Sequence, residues 1–160
     1  EEASGGPLFE MIIHELDLAR WLWERDPIAV TAIGGLTSGS DMTIVLDFGD
    51  GDSAVIDVCW RCIGFRIKAE LFGDRGWLMR EANLPLGPAS EHLMTSAGES
   101  RRDISAAIQG PQTFQRMLNQ FGQAILSDSK VPVPAEDGVW AVRMAEGARE
   151  SMRTNTRILF

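Results

Sequence analysis

Apolar residues recur at helical spacing from about Leu8 to Glu24, at Phe9, Ile12, Ile13, Leu16, Ala19, Leu22 and Trp23, and predict an amphipathic helix behind a glycine-rich loop. Arg25-Asp26-Pro27 ends that pattern, because the residue before a proline is pushed out of the α region. Runs rich in β-branched residues follow, Ile28 to Leu36, Met42 to Phe48 and Ser53 to Cys62, and read as strands. Gly49-Asp50-Gly51-Asp52 between the last two is hairpin chemistry. Arg66 to Phe72 and Trp77 to Arg80 meet across Gly73-Asp74-Arg75-Gly76 in the same way. From Glu81 to about Gly110 the period is lost, and the stretch reads as a long loop, a frayed strand pair or an element that the pattern hides. Pro111 suits the first position of a second helix running to Ser127, with Phe114, Met117, Leu118, Phe121 and Ile125 on one face. After the extended Val131-Pro132-Val133-Pro134, a third helix spans about Ala135 to Met152, with Glu136 and Asp137 in its first turn to suit the helix dipole. Thr156 to Phe160 reads as a short closing strand.

Helix, four or five consecutive strands, then helices is an α+β order: an open, mainly antiparallel sheet covered by helices on one face, in a single domain over residues 1–160. The alternation of strand and helix that builds a dinucleotide fold is missing. Gly5-Gly6 and Gly34-Gly35 also lack the further glycine and helix of a phosphate loop, so no cofactor-binding residue is assigned within this chain.

Composition narrows the partners. The chain has 160 residues, 44% of them hydrophobic, which is enough for a core without staples. Fifteen Lys and Arg against 23 Asp and Glu leave a net charge of −8, with no basic run dense enough for a phosphate backbone or an anionic membrane. No stretch approaches the ~20 apolar residues of a membrane span and no basic-then-apolar leader is present, so the expectation is a cytoplasmic protein with neither nucleic acid nor membrane as partner. The absence of Met at position 1 and the opening Glu-Glu-Ala-Ser-Gly-Gly suggest a piece of something longer.

The first helix carries the candidate chemistry. At 100° per residue Glu10, His14 and Asp17 fall within about 60° of each other, so an imidazole has a carboxylate one turn to each side. A carboxylate that accepts the proton of one ring nitrogen fixes the tautomer and makes the other nitrogen the better base, able to take a proton from a hydroxyl. Arg20 and Glu24 extend the stripe, which is equally the pattern of a solvated amphipathic face.

The string Gly5-Gly6, Glu10, His14-Glu15-Leu16-Asp17 and Trp21-Leu22 resembles the start of the second domain of the Gfo/Idh/MocA oxidoreductases, which include inositol dehydrogenases and glucose–fructose oxidoreductase. Glu70-Leu71-Phe72-Gly73 followed by Gly76 resembles that family's E-V-F-G-x-x-G turn. Val131-Pro132-Val133-Pro134-Ala135-Glu136-Asp137-Gly138, with Ala141, Ala145, Glu146 and Ala148, resembles its P-V-x-x-E-D-G and A-x-x-x-A-E-x-A helix. The resemblance implies hydride transfer between a sugar, polyol or cyclitol CH–OH group and NAD or NADP, with His14 as acid/base and Glu10, where an aspartate is usual, orienting it. It also implies that the nucleotide is bound mainly by a preceding Rossmann domain, that Asp17, Trp21 and Phe65 contact substrate, and that subunits assemble into a homo-oligomer through the sheet face. Phe65 stands where relatives carry a tyrosine, and this chain has no tyrosine.

Arg61, Arg66 and Lys68 share the sheet region with Phe65, and for Arg66 and Lys68 the reading is a solvated strand face. Cys59-Trp60-Arg61-Cys62 has C-x-x-C spacing, but residues three apart in a regular strand point to opposite faces, so the expectation is two buried free thiols. His92 is too remote to complete a metal site, and no metal ligand is assigned. The tryptophans read as core or interface aromatics, Trp21 excepted. Two further function classes stand beside the dehydrogenase domain: a non-catalytic binding or assembly module on the same fold, and a small metalloprotein using Cys59, Cys62 and His92.

Overall fold

The computed structural model describes residues 6–34, 41–60, 64–84, 87–105 and 112–160. The chain divides into two compact units, Glu1–Arg61 with Pro132–Phe160, and Cys62–Val131. The architecture is α+β and antiparallel, as the element order predicts, but the strands form two four-stranded sheets in place of the single open sheet expected.

In the first unit, β1 (Ala29–Gly34), β2 (Asp41–Gly49), β3 (Asp52–Cys59) and β8 (Ile158–Leu159) form a sheet in the order β3-β2-β1-β8, antiparallel throughout. Strand alternation puts Val30 and Ala32 of β1 and Met42, Ile44, Leu46 and Phe48 of β2 on one buried face. Helices α1 (Ile13–Trp23) and α3 (Ala135–Thr154) cover that face with Leu16, Met144, Ala145 and Ala148. At Gly147 the helix comes so close to β1 that a Cβ would lie 2.9 Å from Val30 Cγ1 and 2.8 Å from the Phe160 ring. The hairpin joining β2 to β3 has positive φ at Gly49, Asp50 and Gly51, the conformation its Gly-Asp-Gly sequence favours.

The first helix differs from expectation at its start, where Leu8–Ile12 forms a π-helical turn before α1 begins. The reason lies in the spacing of its buried residues. Leu8, Ile12 and Leu16 are four apart, and in a straight α-helix each such step drifts about 40° around the axis, whereas the wider π turn holds Leu8 on the core face. Helix α1 ends with Glu24 in the left-handed conformation, ahead of the buried Pro27.

Ser151 locks α3 to the sheet. Its buried Oγ accepts the backbone N–H of Ala32 at 2.9 Å and donates to the Thr156 carbonyl at 2.6 Å. Replacing Ser151 by alanine leaves that strand N–H without a partner inside the core, and a loss of about 1–3 kcal/mol in unfolding free energy is expected from urea denaturation.

The second unit is a four-stranded meander, β4 (Phe65–Gly73), β5 (Gly76–Leu84), β6 (Ala89–Thr95) and β7 (Gly98–Asp103), with helix α2 (Gln112–Leu126) following. The β4 to β5 hairpin turns where expected. Only glycine fits at Gly76, with φ at 146° and a Cβ position 2.1 Å from the Met94 carbonyl oxygen. Most of the stretch read as loop or frayed strands is therefore sheet. Its period was hidden because β7, Gly-Glu-Ser-Arg-Arg-Asp, is exposed at every position and buries no face. Charge pairing takes the place of burial there: Glu91 lies between Arg80 (3.5 Å) and Arg102 (2.6 Å), its register partners on the neighbouring strands. The buried cluster of this unit is small, Ala82, Ala89 and Ile104. On α2 the residues Phe114, Met117, Leu118, Phe121 and Ile125 form the expected stripe, each more than half exposed.

The cysteine expectation is corrected. Cys59 is exposed and disulfide-bonded, and the described residues include no free thiol. Strand β3 ends at Cys59 and Trp60 lies in a turn, so the alternation that would separate residues three apart stops there. The chain's other cysteine, Cys62, lies outside the described residues, as does Arg61. His92 is buried in β6, edge-on to Trp77 at 4.5 Å and 2.6 Å from a Glu99 carboxylate oxygen. Among the described residues no group of three or more His, Cys, Asp or Glu is placed to hold a metal ion, and no helix is long and apolar enough to cross a membrane.

Candidate functional site on the first helix

The buried stripe of Leu8, Ile12, Leu16 and Ala19 turns the opposite face of the first helix outward, and that face carries Glu10, His14, Asp17 and Trp21. Glu10 and His14 are exposed, and neither side chain makes a hydrogen bond or ion pair among the described residues. Glu10 lies within the π turn, so the angular offset from His14 that a regular α-helix would give does not apply to it. Asp17 is half-buried and Trp21 is 70% exposed. Phe65, 43% exposed, opens β4 in the other unit. Arg66 and Lys68 on that strand are solvated and paired with Glu81 and Glu70.

Asp17 and Trp21 line a cavity of about 420 Å³, together with Arg20, Asp26, Val133 and Asp137. Arg20 was missed by the sequence reading, which left it on a solvated stripe. Its side chain is only 20% exposed. Its Nε donates to Asp26 at 2.6 Å and its Nη1 to Asp137 at 2.6 Å, and its guanidinium stands 5.7 Å from the centre of the Trp140 ring. Burial works against the Arg20 charge, but the hydrogen bonds to Asp137 and Asp26 outweigh it and raise its pKa further. The signals available were Asp137 in the first turn of α3 and Asp26 just past the end of α1; nothing in their spacing joins them to Arg20.

Asp17 sits among these charges without a hydrogen bond or ion pair of its own among the described residues. Burial pushes its pKa up, the nearby Asp137 carboxylate pushes it further, and Arg20 and His14 pull it down by less. A carboxyl whose folded pKa lies above its unfolded value takes up a proton on folding, so folding stability falls as pH rises from the ordinary carboxylate range through the folded pKa. Asp17→Asn removes that penalty. The variant is expected to melt higher than wild type at neutral pH, with the gap closing as the pH is lowered past the ordinary carboxylate range, followed by thermal denaturation across pH.

Among the described residues there is no cradle for a nicotinamide dinucleotide. Every strand pairing among the described residues is antiparallel, and none forms the strand, glycine loop and helix that present backbone N–H groups to a pyrophosphate.

Comparison with known proteins supplies what geometry leaves open. Residues 1–79 match the family model described as the GFO/IDH/MocA C-terminal domain. The chain is 25% identical over 167 residues to an inositol 2-dehydrogenase of Rhizobium meliloti, covering 97% of this chain and 50% of that protein. Among solved structures it resembles an aldose-aldose oxidoreductase from Caulobacter crescentus complexed with glycerol, with a TM-score of 0.80 at 20% identity, covering 98% of this chain and 48% of the other. It also resembles an oxidoreductase from Agrobacterium radiobacter in complex with NAD+, L-tartaric acid and magnesium, with a TM-score of 0.69 at 16% identity, covering 95% and 48%. The chain thus spans about half the length of the relatives it matches. Motifs, fold and relatives agree: residues 1–79 match the GFO/IDH/MocA C-terminal domain, and over nearly its whole length the chain is similar to the second half of oxidoreductases such as that inositol 2-dehydrogenase.

Proposed function

We propose that this chain is the substrate and assembly domain of a cytoplasmic oxidoreductase that acts on a CH–OH group of a sugar, polyol or cyclitol, using NAD or NADP held outside the chain. The observation that carries this reading is the outward face of the first helix, where an unpaired imidazole at His14 stands one turn from the cavity that Asp17 and Trp21 line. An inositol dehydrogenase as relative supplies the substrate class. In this reading an imidazole nitrogen of His14 takes the hydroxyl proton as the carbinol carbon is oxidised, Asp17 accepts a hydrogen bond from a neighbouring hydroxyl, and the Trp21 indole packs against the C–H face of the ring. Glu10 orients His14 from the π turn. Homo-oligomers form through the outer face of the first sheet, where Ile33 and Val55 are exposed.

A second reading is a non-catalytic binding or assembly module on the same fold, and one observation favours it: Glu10 replaces the family's usual aspartate and makes no hydrogen bond to His14. His14→Asn in the full-length protein separates the two, with turnover and polyol binding measured side by side. The dehydrogenase reading expects turnover to collapse while binding persists. Unchanged behaviour in both measurements sinks it and leaves the module.

A further inference from the structure

The contacts between α1 and α3 are of two kinds with different consequences. Leu16 and Ala19 join the apolar cluster that holds Met144, Ala145 and Ala148 of α3, contacts that set the depth of α1 and carry no hydrogen-bond direction. The Arg20 fork is directional. It spans two carboxylates, Asp26 beyond the end of α1 and Asp137 in the first turn of α3, at 2.6 Å each. We propose that Arg20 and Asp137 are positioning residues for the reaction proposed above: their ion pair fixes the rotation of α1, and with it the aim of His14, while setting the charge that surrounds Asp17.

The geometry makes Asp17 the reporter of this clamp. Four carboxylates, Asp17, Glu24, Asp26 and Asp137, line one cavity with Arg20, and the guanidinium is committed to the last two. Arg25, the other cation lining it, is taken by Asp52, Asp50 and the Gly49 carbonyl. Asp17 therefore faces His14 and Arg20 from its own helix and Asp137 from α3, with Glu24, Arg25 and Asp26 around the rim of the same cavity. Asp17 is one helical turn from His14 on one side and one turn from Arg20 on the other, so a rotation that moves one of them moves all three.

The clamp makes an expectation that a simple structural brace does not. Arg20→Gln and Asp137→Asn break the same ion pair, so a brace predicts matching consequences. The two substitutions remove opposite charges from the neighbourhood of Asp17, so its carboxyl should titrate at higher pH in Arg20→Gln and at lower pH in Asp137→Asn. Both should lower kcat for the polyol, by up to about a hundredfold for a displacement near 1 Å. Arg20→Lys keeps the charge without the fork and should leave the Asp17 titration near wild type while still lowering kcat. The experiment is to titrate the Asp17 carboxyl carbon by NMR in the full-length protein and the three variants, alongside the pH profile of kcat/KM. Opposite displacements in the first two variants support the proposal; displacements in one direction, none at all, or an unchanged kcat in all three overturn it. Full turnover in His14→Asn would instead overturn the dehydrogenase reading, while the Asp17 titrations would still decide the clamp.

Discussion

Replacing His14 by asparagine in the full-length protein is expected to lower kcat by about 10²–10⁴-fold, the range general acid–base catalysis contributes. Asparagine keeps a polar side chain of similar reach but cannot hold a proton at neutral pH. His14 is exposed and makes no hydrogen bond or ion pair among the described residues, so the substitution orphans no buried partner and should leave the melting temperature close to wild type. A loss of rate with stability intact would therefore report chemistry. KM for the polyol should change little, because the contacts assigned to Asp17 and Trp21 survive, and a fall in kcat at constant KM marks an interaction made in the transition state.

Leu16→Ala is expected to produce the largest loss of stability, about 2–5 kcal/mol by urea denaturation. Leu16 is wholly buried between the first sheet and α3, in a cluster with Ile12, Ile44, Leu46 and Met144 that comes from four separate elements. Truncation removes the transfer free energy of three carbons and leaves a void that a close-packed neighbourhood fills only partly. Relaxation is restricted here because Gly147 already brings α3 against Val30 and Phe160. The same cluster sets the depth of α1, so a drop in kcat alongside the loss of stability is expected in this variant and absent from a matched truncation at the exposed Leu159.

The elements that bury a face were legible in the sequence. Strand β2 alternates buried and half-buried along its whole length, and its period of two is plain in Met42, Ile44, Leu46 and Phe48. The β4 to β5 hairpin was marked by its glycines, of which Gly76 has a backbone that tolerates no side chain. Strand β7 was hidden for the converse reason: it buries nothing, and the pairing of Glu91 with Arg80 and Arg102 that helps hold it is long in sequence and silent in periodicity. The π turn escaped notice because a spacing of four suits both an α-helix and a wider turn. At the site, His14, Asp17 and Trp21 could be read from helical spacing and resemblance. Arg20 could not, because its partner Asp137 lies 117 residues away and only the fold brings them together. The exposed disulfide at Cys59 escaped for a local reason, a strand that ends at Cys59 and not, as the alternation argument assumes, at Cys62.

The most direct measurement of the central claim is the rate of nicotinamide reduction by the full-length protein with a panel of cyclitols and aldoses, wild type against His14→Asn. The expected result is polyol-dependent reduction in the wild type that collapses in the variant while its fold and its polyol binding remain. Reduction that proceeds equally well in both, or its absence with every cyclitol and aldose, would contradict the account and leave the first helix as a solvated face of an assembly module.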